Sequence, residues 1–159
     1  MRIVMPKKRK WVNPDAIAAV ENLKWLRDGI RETRKEYIEE STERQLSFAK
    51  QMRKMNADFS QQMRKLDNKI AHYELEARSG TQRDSAVDVA KAKLKEFRND
   101  RRTSKNLHRE VNTKMKSEFS KEIAELKIYN LSQIKWHEHA IEEQHNYLTS
   151  LTTKDSQYH

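Results

Sequence analysis

The sequence predicts an all-α protein whose two long helices form a coiled-coil-like hairpin that is completed by oligomerisation. The chain of 159 residues has only 2 glycines and 2 prolines, the residues that most often interrupt regular structure. Charged residues make up 36% of the chain and hydrophobic residues 35%. Because the apolar residues recur with a helical period, a helical protein is favoured over a disordered polyelectrolyte.

A basic arm at residues 1–12 precedes the first predicted helix. Its cluster of Lys7, Lys8, Arg9 and Lys10 follows Pro6 and suits an extended segment that contacts phosphates or is simply solvated. The stretch PKKRKW also resembles the short basic nuclear-import signal of a eukaryotic viral antigen. The arm is therefore a first candidate for contact with nucleic acid.

The first helix is predicted to begin at NPDAIAAV. Asn13 can cap it, Pro14 suits the first helical position, and Asp15 suits the positive end of the helix dipole. Nothing forces the helix to stop before about Ala77. Gly29 is its one weak point and costs about 1 kcal/mol relative to alanine.

An eleven-residue repeat defines the apolar stripe of this helix. Eleven residues in three turns match a nearly straight helix, so the stripe stays on one face. We expect this stripe to pack against neighbouring helices, both in the core and between copies. Its members are Leu26, Tyr37, Phe48, Met52, Met55, Phe59, Met63, Leu66 and Ile70.

A break is predicted near residues 79–85. Gly80 is a strong stop, and Thr81 or Ser85 can cap a second helix that runs to about Leu148. The domain prediction is a hairpin over 13–150 followed by a flexible tail at 151–159, and one continuous bent helix is the alternative to the hairpin. The stripe expected on the second helix consists of Val87, Ala90, Leu94, Phe97, Leu107, Val111, Met115, Phe119, Ile123, Leu126, Ile134, Ile141 and Leu148.

A hairpin of two helices buries one stripe per helix and has no third layer. We therefore expect the fold to be completed by copies of the chain or by other proteins. No apolar run approaches the roughly 20 residues that cross a bilayer, so no transmembrane segment is expected.

The stretch HEHAIEEQH contains the pair Glu142 and His145, which has the Glu-x-x-His spacing of di-metal helical bundles. Those bundles need two such motifs and two further glutamates, so we predict no metal. The chain has no cysteine, no glycine-rich phosphate loop and no spacing that suggests a nucleophile with its base. We accordingly predict no enzyme activity and no cofactor.

The net charge of +9 favours anionic partners. Residues 80–116 are locally basic, with eleven lysines or arginines and five acidic residues, and no base-reading motif accompanies their cations. Contact with the DNA backbone, without sequence preference, and a salt-bridged solvated face are both open interpretations of this segment. The candidate contacts are Arg98, Arg101, Arg102, Lys105 and Arg109.

The central segment YELEARSGTQRDSAVDVAKAKLKEFRNDRRTSKNLHREVNTKMKSEF resembles the smaller internal core proteins of short-tailed podophages, over about a third of the chain. The matching positions are Gly80, Ser85, Val87 and Asp88, followed by the helix through Phe97 and Arg101. Members of that family are stored in the capsid and ejected with the DNA to help build a conduit. This chain lacks their apolar N-terminal segment for membrane insertion, so the resemblance implies a structural role in the virion.

The resulting functional hypothesis is a non-enzymatic virion protein of an internal core or DNA-ejection assembly. It would lie in the capsid interior or near the portal, as a homo-oligomer beside other virion proteins and DNA. The alternatives are a basic helical regulator that binds nucleic acid and a nuclear coiled-coil adaptor, which would place it in the host cytoplasm or nucleus.

Overall fold

The computed structural model describes residues 13–78 and 84–157. This part of the chain consists of two α-helices, α1 (Pro14–Arg78) and α2 (Asp84–Gln157), with no strand among the described residues. The helices pack against each other, which confirms the predicted all-α hairpin. Neither helix, over the residues described, contains a segment long and apolar enough to cross a membrane.

The start of α1 follows the predicted capping pattern. Oδ1 of Asn13 accepts a hydrogen bond from the backbone N–H of Asp15 at 2.9 Å, and the Asn13 carbonyl accepts one from Ala16 at 3.0 Å. An uncapped helix leaves its first N–H groups without partners, so these bonds fix the first residue of α1 at Pro14.

The bounds of α2 differ from the prediction at both ends. The helix begins at Asp84, so Ser85 lies inside it and is not its cap, and Gly80 and Thr81 fall outside the described residues. At the other end α2 continues beyond Leu148 to Gln157, so residues 151–157 of the predicted tail are helical. The physical reason is that no glycine or proline follows Leu148, and the hydroxyl of Thr152 donates to the Leu148 carbonyl at 2.9 Å.

The chain divides into two compact units. Over the described residues, unit 1 contains 13–41 and 125–157, and unit 2 contains 42–78 and 84–124. In each unit a segment of α1 packs antiparallel against a segment of α2. We call the buried and half-buried line along which the two segments touch the seam of that unit.

The seam of unit 1 is closely packed around small residues. Ala19, Leu23, Leu26 and Ile134 are buried in it. A Cβ built on Gly29 would lie 2.6 Å from Nε2 of His137, so only glycine allows the imidazole to pack this closely on the backbone of α1.

The seam of unit 2 is built from pairs of aromatic rings. Phe48 stacks on Phe119 with ring centroids 4.1 Å apart, and Phe59 stacks on His108 at 3.7 Å. Farther along, the Tyr73 and Phe97 rings are 5.6 Å apart. As residue numbers rise in α1 they fall in α2, which is the signature of antiparallel packing.

The predicted stripe of α1 lies in these seams. Leu26 and Met63 are buried, and Tyr37, Phe48, Met52, Met55, Phe59, Leu66 and Ile70 are half-buried. The stripe therefore packs against α2 within one chain, and contact between copies would have to use other surfaces.

The predicted stripe of α2 is wrong in its middle. Leu107 is 59% exposed and Val111 is 37% exposed. Between Phe97 and Met115, the residues of α2 that lie in the seam are polar, and they include His108 and Asn112. Leu107 and Val111 were assigned to the stripe because they are hydrophobic. Each directly precedes a seam residue, so it lies beside the seam and not in it. The other predicted members of this stripe are buried or half-buried: Val87, Ala90, Leu94, Phe97, Met115, Phe119, Ile123, Leu126, Ile134, Ile141 and Leu148.

Candidate nucleic-acid interface

The position of a side chain relative to the seam decides which side of a unit it occupies. Each residue of an α-helix is rotated by about 100° from the one before it. A residue that directly follows a seam residue therefore lies on one side of the seam, and a residue that directly precedes it lies on the other. In an antiparallel pair, the following residues of both helices share one side.

On α2 in unit 2, the residues that directly follow seam residues include a row of cations. Their spacings of three, four and seven residues keep them on one helical face, and Asp88 is the one carboxylate in the same row. We call these residues the cationic row. Its members are Lys91, Lys95, Arg98, Arg102, Lys105, Arg109 and Lys116.

Two of the predicted contact residues are engaged in ion pairs between the helices of unit 2. Nη2 of Arg98 lies 3.1 Å from Oε1 of Glu74, and Nε of Arg101 lies 2.8 Å from Oδ1 of Asp67. Arg101 is itself a seam residue and is half-buried. These two guanidinium groups hold the helices together, and Arg101 does not belong to the exposed row.

The other three predicted helix residues remain available to an anion. Among the described residues, no carboxylate oxygen lies within 4.0 Å of the charged groups of Arg102, Lys105 or Arg109. Lys91, Lys95 and Lys116 share the same face and were not predicted. They are identified by their position directly after a buried or half-buried seam residue, which can be read only when the residues of α2 that face α1 are known.

A shallow pocket without carboxylates lies at the Lys116 end of the row. Lys105, Arg109 and Lys116 supply its positive charge, and the stacked rings of Phe59 and His108 form part of its lining, together with Asn112 and Thr113. Three cations and no acid around one concavity provide the charge that binds a phosphate group.

Asn112 adds an unpaired polar atom to this lining. Its Nδ2 lies 3.0 Å from Nε2 of His108, while its Oδ1 is buried and has no hydrogen-bond partner among the described residues. A buried amide oxygen without a donor is an unfavourable feature of a helix seam.

The remaining predicted groups are placed as follows. The arm residues Lys7, Lys8, Arg9 and Lys10 lie outside the described residues. In the HEHAIEEQH stretch, Nδ1 of His137 donates to the Gln133 carbonyl at 2.8 Å, and His139 lies 3.1 Å from Glu143. Over residues 13–78 and 84–157, no three His, Asp or Glu side chains are grouped so that they could hold a metal.

Comparisons with known proteins find no relative of this chain. No protein-family model, no curated protein and no solved structure matches the chain.

Proposed function

We propose that this chain is a non-enzymatic structural protein that lies against the phosphate backbone of DNA without reading its base sequence. The observation that carries the proposal is the cationic row of unit 2. It extends from Lys91 to Lys116, which corresponds to about 38 Å of helix at 1.5 Å per residue. A row of this length can follow several phosphates of one DNA molecule.

The chemistry of the row favours backbone contact over base readout. All seven members are lysine or arginine, the side chains that neutralise phosphates, and no asparagine or glutamine stands among them to pair with adenine. Arg102, Lys105 and Arg109 are not engaged by carboxylates of the described residues, so binding a phosphate would not require an internal ion pair to break. Contacts of this kind give affinity that depends strongly on salt and little on sequence.

The setting that we propose is a phage virion, in an internal core or ejection assembly beside packaged DNA. The support for this setting is the resemblance of the central segment to internal core proteins of podophages. The cationic row lies within that same segment, so the two observations concern the same part of the chain. Its positive charge would offset phosphate repulsion where DNA is tightly packed.

The proposal is tested by the salt dependence of binding to a short duplex of random sequence, measured by fluorescence anisotropy. The variant K105Q/R109Q/K116Q removes three cations from the row. We expect the slope of log K against log salt to become shallower by about 0.9 for each lost phosphate contact. An unchanged slope, or no binding at low salt, would contradict the proposal.

A matched control removes three cations from elsewhere in unit 2. Lys50, Lys54 and Lys65 are exposed on α1; Lys54 and Lys65 directly precede seam residues, and Lys50 lies two residues after Phe48. K50Q/K54Q/K65Q changes the net charge by the same amount, so we expect it to change the slope less than the row variant does. Equal effects of the two variants would mean that net charge, not the row, governs binding.

Sequence preference separates the proposal from the regulator alternative. A regulator should bind one duplex roughly a thousandfold more tightly than random DNA. We expect unrelated duplexes of equal length to compete equally.

A further inference from the structure

One side of unit 1 is both aromatic and acidic. We call it the aromatic side, and it consists of the residues that directly precede seam residues. Trp25 is 67% exposed and Trp136 is 60% exposed, and Tyr129 and Tyr147 are also exposed there. This side carries no lysine or arginine, and Glu143 lies 3.1 Å from Nε2 of His139. Its five glutamates are Glu32, Glu36, Glu40, Glu125 and Glu143.

The spacing of the aromatic residues on α2 places them in one line. Tyr129 and Trp136 are seven residues apart, which is two turns, and Trp136 and Tyr147 are eleven apart, which is three turns. Trp25 lies on the same side of unit 1, contributed by α1. Four large aromatic side chains exposed along one side exceed what scattered surface residues would give, and such a patch indicates an interaction surface.

The opposite side of unit 1 is basic and partly aliphatic. We call it the basic side, and it consists of the residues that directly follow seam residues. Its exposed apolar members are Ile17, Val20, Ile38 and Leu131. Its two carboxylates, Glu138 and Glu142, are outnumbered by six cations, which are Lys24, Arg27, Arg31, Arg34, Lys127 and Lys135.

We propose that the aromatic side of unit 1 binds the basic side of unit 1 of a second copy. The two sides carry opposite charge, and both expose apolar groups. Arginine side chains stack favourably on exposed tryptophan, so Arg27 or Arg34 of one copy can lie over Trp25 or Trp136 of the next. The aliphatic residues of the basic side would cover the remaining aromatic surface.

The charges also exclude the symmetric alternatives. Pairing two aromatic sides would place five glutamates against five glutamates, and pairing two basic sides would oppose six cations to six. The favoured contact is therefore heterologous, with different surfaces on the two partners. Such contacts continue from copy to copy and give a ring or an open filament instead of a closed dimer.

The test uses two variants that each disable one side. W25S/W136S removes the tryptophans of the aromatic side, and R27E/R34E reverses two charges of the basic side. All four side chains are exposed, so we expect each variant to keep its helices, which circular dichroism checks. Sedimentation velocity at low salt then measures the size of each protein at increasing concentration.

We expect the unmodified protein to form species larger than a dimer as its concentration rises. Each variant alone should associate at least about tenfold more weakly, because its remaining side has no partner surface. An equal mixture of the two variants should form a heterodimer and nothing larger, because one intact aromatic side meets one intact basic side. If R27E/R34E alone associates like the unmodified protein, or the mixture stays monomeric, the proposal is wrong.

A second pair of variants tests charge without removing apolar surface. E36R/E143R places cations on the aromatic side, so we expect it to associate poorly alone but to bind R27E/R34E. Failure of that pairing would also overturn the proposal. The cationic row in unit 2 is intact in all these variants, so a failure of assembly and a failure of DNA binding can be told apart.

Discussion

In unit 1 the seam residues of α1 advance in alternating steps of four and three, from Ala19 through Leu23, Leu26, Ile30 and Thr33. In unit 2 they follow the eleven-residue repeat, through Phe48, Met52, Met55, Phe59 and Met63. A seven-residue pattern keeps two helices in contact only if they wind slightly to the left, whereas an eleven-residue pattern suits a nearly straight helix.

The two units also differ in how they accommodate polar groups in the seam. In unit 1, Nδ2 of Asn130 donates to the Thr33 carbonyl at 2.9 Å, and the Thr33 hydroxyl donates to the Gly29 carbonyl at 2.7 Å. In unit 2, the amide oxygen of Asn112 has no partner among the described residues. The buried polar groups of the unit 1 seam form hydrogen bonds, whereas one buried group of the unit 2 seam does not. The packing of unit 1 therefore defines a single arrangement of its helices more strongly.

The largest expected effect comes from removing a buried side chain of unit 1. Leu26 is 5% exposed, so L26A should lower the free energy of unfolding by about 3 kcal/mol through lost burial and an incompletely filled cavity. Urea unfolding followed by circular dichroism measures this change. L107A in unit 2 is the matched control, because Leu107 is exposed and should change stability by less than about 0.5 kcal/mol. Equal losses from the two variants would mean that Leu107 contributes to the core after all.

The prediction of the fold from sequence succeeded where the apolar pattern was strong. The α1 stripe and the cap at Asn13 both depend on local residue types that have few alternatives. The predicted break rests on Gly80 and Thr81, which lie outside the described residues. The middle of α2 failed because RNDRRTSKN offers no large apolar residue, so the phase of the helix there is set by packing against α1. Without that phase, the cationic row of unit 2 could not be assigned.

Because the His137 imidazole packs against the backbone of α1 at Gly29, we predict that glycine is required at this position. In an open helix, G29A would stabilise the protein by about 1 kcal/mol. Here the new Cβ would lie 2.6 Å from the His137 imidazole, so we expect G29A to destabilise the protein by about 1 kcal/mol instead. Urea unfolding of the unmodified protein, G29A, H137A and G29A/H137A gives a double-mutant cycle. In an H137A background the clash is absent, so G29A should become stabilising; the same sign in both backgrounds would show that the imidazole is not the obstacle.

The smallest expected effects test the contrast between the two seam asparagines directly. If the amide of Asn112 were reversed, its nitrogen would replace its oxygen as the atom without a partner, so either orientation leaves one buried group unpaired. N112L should therefore stabilise the protein by about 1 kcal/mol, because it replaces that group with apolar surface.

N130L should act in the opposite direction. It removes the hydrogen bond to the Thr33 carbonyl, and the bulkier leucine must fit a closely packed seam, so we expect a loss of about 1 kcal/mol. Chemical unfolding of the two variants side by side measures both signs. If N112L and N130L changed stability in the same direction, the difference in hydrogen bonding between the two asparagine amides would not control the stability of the seams. The opposite signs that we expect would show that the polar interruption in unit 2 lowers its stability, while the one in unit 1 is part of its packing.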